Sequence, residues 1–146
     1  PDFETALKKM YASRQMSPQY FIMAGAKPYE GAVLTIDRGG KHLAPFTPPM
    51  RRLNSTTGDW YLLQTNDDVN KPADDWRRPS AMLKLSLSRQ DQVSTDWMWD
   101  QMIGYMGPVL PTPTLYNPNT VFTSVYVPST GYFKTIAHLG NGRFNG

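Results

Sequence analysis

The stretch QYFIMAGAKPYEGAVLTIDRG (residues 19–39) sets the architecture. QYFIMA and GAVLTIDR are short apolar runs with strand propensity, bounded by breakers, and they read as two strands. The link AKPYE carries Pro28, so the two runs turn back on each other as an antiparallel hairpin. Toward the N-terminus, Asp2 can cap a helix in which Phe3, Ala6, Leu7, Met10 and Tyr11 recur at helical spacing. Lys8 and Lys9 fall on its wet face, and Ser17-Pro18 breaks it. The helix starts so early that the sequence is expected to begin in mid-domain at Pro1.

Toward the C-terminus, residues 39–57 read as loop, with PFTPPM too rich in proline for a regular element. DWYLLQT (59–65) is a third strand candidate. Pro79 suits the first turn of a helix running through Ala81, Met82, Leu83 and Leu85. Ser94 or Thr95 can cap a further helix with Trp97, Met98, Met102 and Ile103 on its apolar side, stopped by Gly107-Pro108. After a loop at 111–118, TVFTSVYV (120–127) and GYFKTIAHL (131–139) form a second hairpin across Pro128-Ser129-Thr130, and NGRFNG (141–146) is expected to fray. About five strands and three helices, paired largely antiparallel, predict an α+β domain.

Composition excludes several chemistries. The 146 residues are enough for one domain's core, and 40% apolar with 18% charged residues is globular. The formal charge of +3 is carried by scattered basic pairs, not a stripe, which argues against nucleic acid as a partner. With no cysteine the chain holds no disulfide, no thiolate metal site and no cysteine nucleophile of its own. His42 and His138 are too far apart in sequence for a metal-ligand pattern, and no apolar run reaches membrane-spanning length. No metal and no cofactor is predicted. Asn54-Ser55-Thr56 is a glycosylation acceptor pattern, meaningful in a secreted protein.

Residues 60–82, WYLLQTNDDVNKPADDWRRPSAM, concentrate the reactive groups. Asn66 ends the third strand candidate. Its amide can donate to a developing oxyanion, although taken alone the residue reads first as the cap of a turn. Arg77 and Arg78 precede a helix start, where a guanidinium is a fixed cationic donor or simply the surface partner of Asp74 and Asp75. Acids at 67, 68, 74 and 75 lack the spacing and the glycine of a twelve-residue calcium loop. Asp68 with Asp75 as a glycosidase pair is a reading that most chains permit. Trp60 and Trp76 admit a sugar-binding platform, whereas Trp97 reads as core. A catalytic N-terminal proline is disfavoured by the Asp2-Phe3 that follows it.

Three blocks together resemble the acid ceramidase and N-acylethanolamine acid amidase family of N-terminal-nucleophile hydrolases. Residues 19–39 resemble its strand, Glu-Gly, strand and Arg pattern. Residues 60–82 resemble its W-Y-x-x-Q-T-N-Y-D segment, with the Pro-containing loop and D-D-R-R-T-P-A that follow. TVFTSVYVPSTGYFKTIAHL (120–139) resembles its final hairpin, and Phe3-Glu4 with Ala6 its Phe-Glu-x-Ala helix. The second block is the specific one.

The resemblance implies a four-layer αββα fold, of which residues 1–146 would be the C-terminal portion of the β-subunit and of a single amidohydrolase domain. It implies hydrolysis of the amide joining a fatty acid to an amine, of the ceramide or N-acylethanolamine type, by a cysteine freed by autocleavage whose α-amine serves as base. Asn66 matches the asparagine that donates to the oxyanion. Arg77 or Arg78, with Arg77 preferred, matches the arginine that lowers the nucleophile's pKa. Asp67, Asp68 and Trp76 fall where substrate would lie. The implied partners are a nucleophile-bearing N-terminal β segment, an α-subunit, a lipid amide substrate and peripheral membrane contact, and the implied location is lysosomal or secreted.

The sequence also departs from the family pattern. Asp67 replaces a tyrosine, Val69-Asn70 replace an aromatic, Trp76 is inserted before the arginines, and the threonine before Pro79 is missing. The family's C-terminal cysteines and their disulfide are absent. The nucleophile and its early arginine and aspartate partners are expected on a preceding segment. The contrasting expectation is an inactive structural or binding homologue within a larger assembly, and a weaker third is a carbohydrate-binding module.

Overall fold

The computed structural model describes residues 2–38, 40–41, 47–103, 115 and 119–138. The chain forms two compact units, Pro1–Pro72 and Ala73–Gly146. All strand pairing among the described residues is antiparallel, and the fold is α+β, as the sequence predicts.

The first unit begins with α1 (Phe3–Ala12), whose Thr5 N–H donates to Asp2 Oδ1 at 2.8 Å, as expected of an N-cap. The predicted hairpin forms as β1 (Gln19–Ala24) and β2 (Gly31–Asp37), in register from Gln19 opposite Ile36 to Ala24 opposite Gly31. Its link is tight. Gly25 N–H donates to the Glu30 carbonyl at 2.7 Å, Lys27 N–H donates to the Glu30 carboxylate at 3.0 Å, and Tyr29 takes a left-handed φ of 62°. The flanking hydrogen bonds hold that residue in a conformation a side chain disfavours.

β2 is interior because it gains partners on its other edge. β3 (Gly40–Lys41) and β4 (Met50–Arg52) both pair with it, inside a region the sequence reads as loop. Pieces of two and three residues lack the alternation by which a strand shows in sequence. Ala32, Leu34 and Ile36 on one face of β2 join Phe3 and Leu7 of α1 in the core, with Met10, Tyr11, Phe21, Met23 and Met50 packed around them. Leu34 is wholly buried.

Residues 59–65 correct the sequence reading, because they form no strand. Residues 60–65 are all half-buried, so their apolar content reflects partial cover and not sheet membership. A single side chain donates to this segment twice: Arg51 Nη2 of β4 donates to the Leu63 carbonyl at 2.8 Å and to Gln64 Oε1 at 2.6 Å.

The second unit holds α2 (Arg77–Ser86), a 3-10 turn (Gln90–Gln92) that the sequence did not signal, α3 (Thr95–Ile103), and the predicted hairpin β5 (Phe122–Val127) with β6 (Tyr132–Ala137). Ser94 Oγ caps α3 by accepting from Trp97 N–H at 3.0 Å. Gly131 closes the hairpin with φ of 72°, a conformation glycine adopts without penalty. α3 packs on β5, and its buried residue is Trp99, with Trp97 only half-buried. The indole N–H of Trp99 donates to the Tyr132 hydroxyl at 3.1 Å, and Lys134 Nζ lies 5.1 Å from its ring centre. Thr123 and Val125 are the buried residues of β5. The expected stop at Gly107-Pro108, the loop at 111–118 (Leu115 apart) and the tail at 141–146 lie outside the described residues.

Candidate active site

The first unit places Asn66 in a bend just after the irregular segment, with its side chain exposed. It lines a pocket of about 450 Å³ with Pro18, Gln19, Tyr20, Thr35, Ile36, Asp37 and Asp68. The pocket floor therefore comes from the β1–β2 hairpin, and one wall comes from the bend. Apart from Pro18 and Ile36 every lining residue carries a polar group, so the cavity offers hydrogen-bonding partners beside its apolar surface.

The bend is held on both sides of Asn66. Gln64 Nε2 donates to the carbonyls of Thr65 at 2.7 Å and Asp67 at 3.0 Å, bracketing the residue between them. Gln64 is itself fixed by Arg51, whose partial burial pushes the guanidinium pKa below its usual value. On the far side, the Tyr20 hydroxyl donates to Asp68 Oδ1 at 2.6 Å, and Lys71 Nζ lies 2.7 Å from Asp68 Oδ2. Lys71 N–H also donates to the Asp68 carbonyl at 3.0 Å, and Thr47 Oγ1 donates to Asn70 Oδ1 at 2.9 Å. Asp67 is half-buried.

The second unit carries the arginines at the start of α2. Asp75 Oδ1 accepts from the Arg77 backbone N–H at 2.9 Å, and Asp75 Oδ2 accepts from Arg77 Nε at 2.7 Å. Arg77 Nη2 lies 2.6 Å from the same oxygen, so two guanidinium N–H groups converge on Oδ2. The Arg77 side-chain hydrogen bond, then its backbone N–H, hold the Asp75 carboxyl below its ordinary value. Arg78 is half-buried, while Asp74 and Trp76 are exposed.

Of the expected site residues, the structure thus brings Asn66 and Asp68 to one pocket, and it joins Arg77 to Asp75. Among the described residues no three histidines or acids converge as metal ligands, and no helix is long and apolar enough to cross a membrane. Sequence reasoning missed Tyr20, Gln64 and Arg51. Tyr20 and Arg51 read as strand and solvated charge, and Gln64 lay within the quoted Q-T-N block without a role. Only the folded register shows what they reach.

No family model matches the chain. Among curated proteins it is similar to two kinds of hydrolase. It is 31% identical over 136 residues to the acid ceramidase of Homo sapiens, which covers 91% of this chain and 31% of that protein. It is 31% identical over 125 residues to the N-acylethanolamine-hydrolyzing acid amidase of Mus musculus, covering 84% of this chain and 31% of the relative. A probable acid ceramidase of Caenorhabditis elegans is 30% identical over 139 residues, covering 92% of this chain and 30% of the relative. The class these relatives define by name is that of ceramidases and N-acylethanolamine-hydrolyzing amidases. Over most of its own length the chain is thus similar to acid ceramidases and N-acylethanolamine-hydrolyzing acid amidases. It spans about a third of the length of those relatives.

Proposed function

We propose that this chain supplies the oxyanion donor and a fixed cation to an amidase that hydrolyses lipid N-acyl amines of the ceramide or N-acylethanolamine type. The observation that carries the proposal is the homology to named ceramidases and amidases along nine-tenths of the sequence. The reading places residues 1–146 in the C-terminal portion of a four-layer αββα domain, completed by an α-subunit and by a β segment that brings an N-terminal cysteine. Its location is lysosomal or secreted.

In the proposed reaction a cysteine thiolate attacks the amide carbonyl carbon, forming a C–S bond and an oxyanion that accepts a hydrogen bond from Asn66. Collapse breaks the C–N bond, and the amine leaves with a proton from the nucleophile's α-ammonium. Water then cleaves the thioester, restoring the thiol and releasing the fatty acid. Arg77, or Arg78 in its place, lowers the pKa of the thiol. Asp67, Asp68 and Trp76 border the substrate, Asp68 as part of the pocket wall. Asn66 is exposed, and a donor facing water gains little. The reading therefore requires further polypeptide to close over the pocket.

Asn66→Ala in the natively produced protein is expected to lower kcat about a hundredfold, with KM little changed, in steady-state hydrolysis of a fatty-acyl aminocoumarin amide. An unchanged kcat removes Asn66 from the mechanism. A second reading, an inactive homologue in a larger assembly, draws on Asp67 and Trp76, which stand where the family pattern differs. A thiol-directed acyl probe separates the two: covalent labelling of an associated N-terminal cysteine supports the amidase, and no labelling supports the inactive form.

A further inference from the structure

An exposed asparagine in a bend has little packing of its own to fix its rotamer, so its direction must come from the backbone on either side. On the N-terminal side that backbone is bracketed by Gln64, which reaches the carbonyls of Thr65 and Asp67. On the C-terminal side the fixed point is Asp68, tied to a tyrosine 48 residues earlier. Tyr20 is paired with Thr35 across the β1–β2 ladder, so its phenol projects from a regular strand with only two side-chain torsions to restrain. The Asp68 side chain is 15% exposed, whereas Lys71 on its other oxygen is 61% exposed. Solvent weakens the lysine contact, and the phenol is the stronger anchor. Both Asp68 oxygens are engaged within the protein, which makes the residue a wall and a fixture and not a free group for substrate.

We infer that Tyr20 and Asp68 are positioning residues, whose hydrogen bond between β1 and the 66–71 turn aims the Asn66 amide into the pocket. The inference rests on the amidase reading for its catalytic consequence, while the mechanical part stands apart from it. Tyr20→Phe removes the hydroxyl alone and keeps the ring in the strand. Asp68→Asn keeps an acceptor for Tyr20 and loses the charge that draws Lys71.

The test compares deuterium uptake and kinetics in the natively produced protein. Tyr20→Phe is expected to raise uptake in the peptide covering residues 64–71 severalfold, with uptake across residues 31–37 unchanged. In hydrolysis of a fatty-acyl aminocoumarin amide, kcat should fall about tenfold with KM within about twofold, because a donor displaced by a fraction of an ångström loses alignment and not binding. Asp68→Asn should leave uptake at residues 64–71 near that of the unaltered protein, because its amide oxygen still accepts from the Tyr20 hydroxyl. In an Asn66→Ala background Tyr20→Phe should cost nothing further, since its effect passes through that amide. Unchanged uptake at 64–71, or kcat losses that multiply in the double variant, overturns the inference. Should the unaltered protein hydrolyse no N-acyl amine, the amidase reading fails, and the uptake arm still decides whether Tyr20 holds the turn.

Discussion

Asp68 and Asp75 sit in the same charged stretch of sequence and are held by opposite means. Asp68 answers Tyr20, 48 residues away on a strand. Asp75 answers Arg77, two residues on, at the start of α2. The first carboxylate depends on the β1–β2 hairpin being in place, whereas the second needs only one helical turn. The same residue type in the same neighbourhood therefore reports on tertiary structure in one unit and on local structure in the other.

The largest expected effect breaks the support beneath Asp68. Leu34→Ala empties a wholly buried site in β2 and should cost about 2–5 kcal/mol. Deuterium uptake under mild denaturant should rise across residues 19–37 and, through Tyr20, across 64–71, while the first turn of α2 keeps its protection. If residues 64–71 stay protected as β1 loosens, Asp68 is not held from the strand.

An intermediate effect probes the second unit's own long-range tie. Trp99→Phe keeps an aromatic ring against β5 but removes the indole N–H donated to Tyr132, and should lower stability by about 1 kcal/mol. Denaturant unfolding followed by uptake in residues 122–137 measures it. A loss near zero would mean that α3 is held to the hairpin by apolar contact alone.

The smallest effect concerns Asp75. Because its carboxyl is held below the ordinary value of 3.8, the folded state favours the ionised form. The contribution is fully present above the unfolded value and is lost as pH falls through the lowered folded value. Asp75→Asn should therefore weaken amide protection in the first turn of α2 by a constant amount from neutral pH down to about 4, and the gap from the unaltered protein should close below that. A gap that persists at lower pH would show that the charge does not carry the pairing.

Much of the frame is legible in the sequence. Strand-prone apolar runs and breakers give β1, β2, β5 and β6, and the cap at Asp2 and one at Ser94 or Thr95 give the starts of α1 and α3, because these signals are local. The same local logic explains the errors. WYLLQ has the composition of a strand, but composition cannot reveal whether an edge is free to receive it. Trp97 and Trp99 are equally apolar, and only the packing of α3 on β5 selects Trp99 for burial.

What the sequence by itself determined is the chemistry on offer: an amide at 66, guanidinium groups at 77 and 78, no thiol, and a resemblance that homology to ceramidases and amidases bears out. What only the tertiary structure decided is which groups are held and from where, as with Arg51 on Gln64 and Tyr20 on Asp68. The physical reason is that a hydrogen bond is made by atoms within about 3 Å, and the distance between two side chains far apart in the chain is set by strand register and packing, which no local pattern encodes.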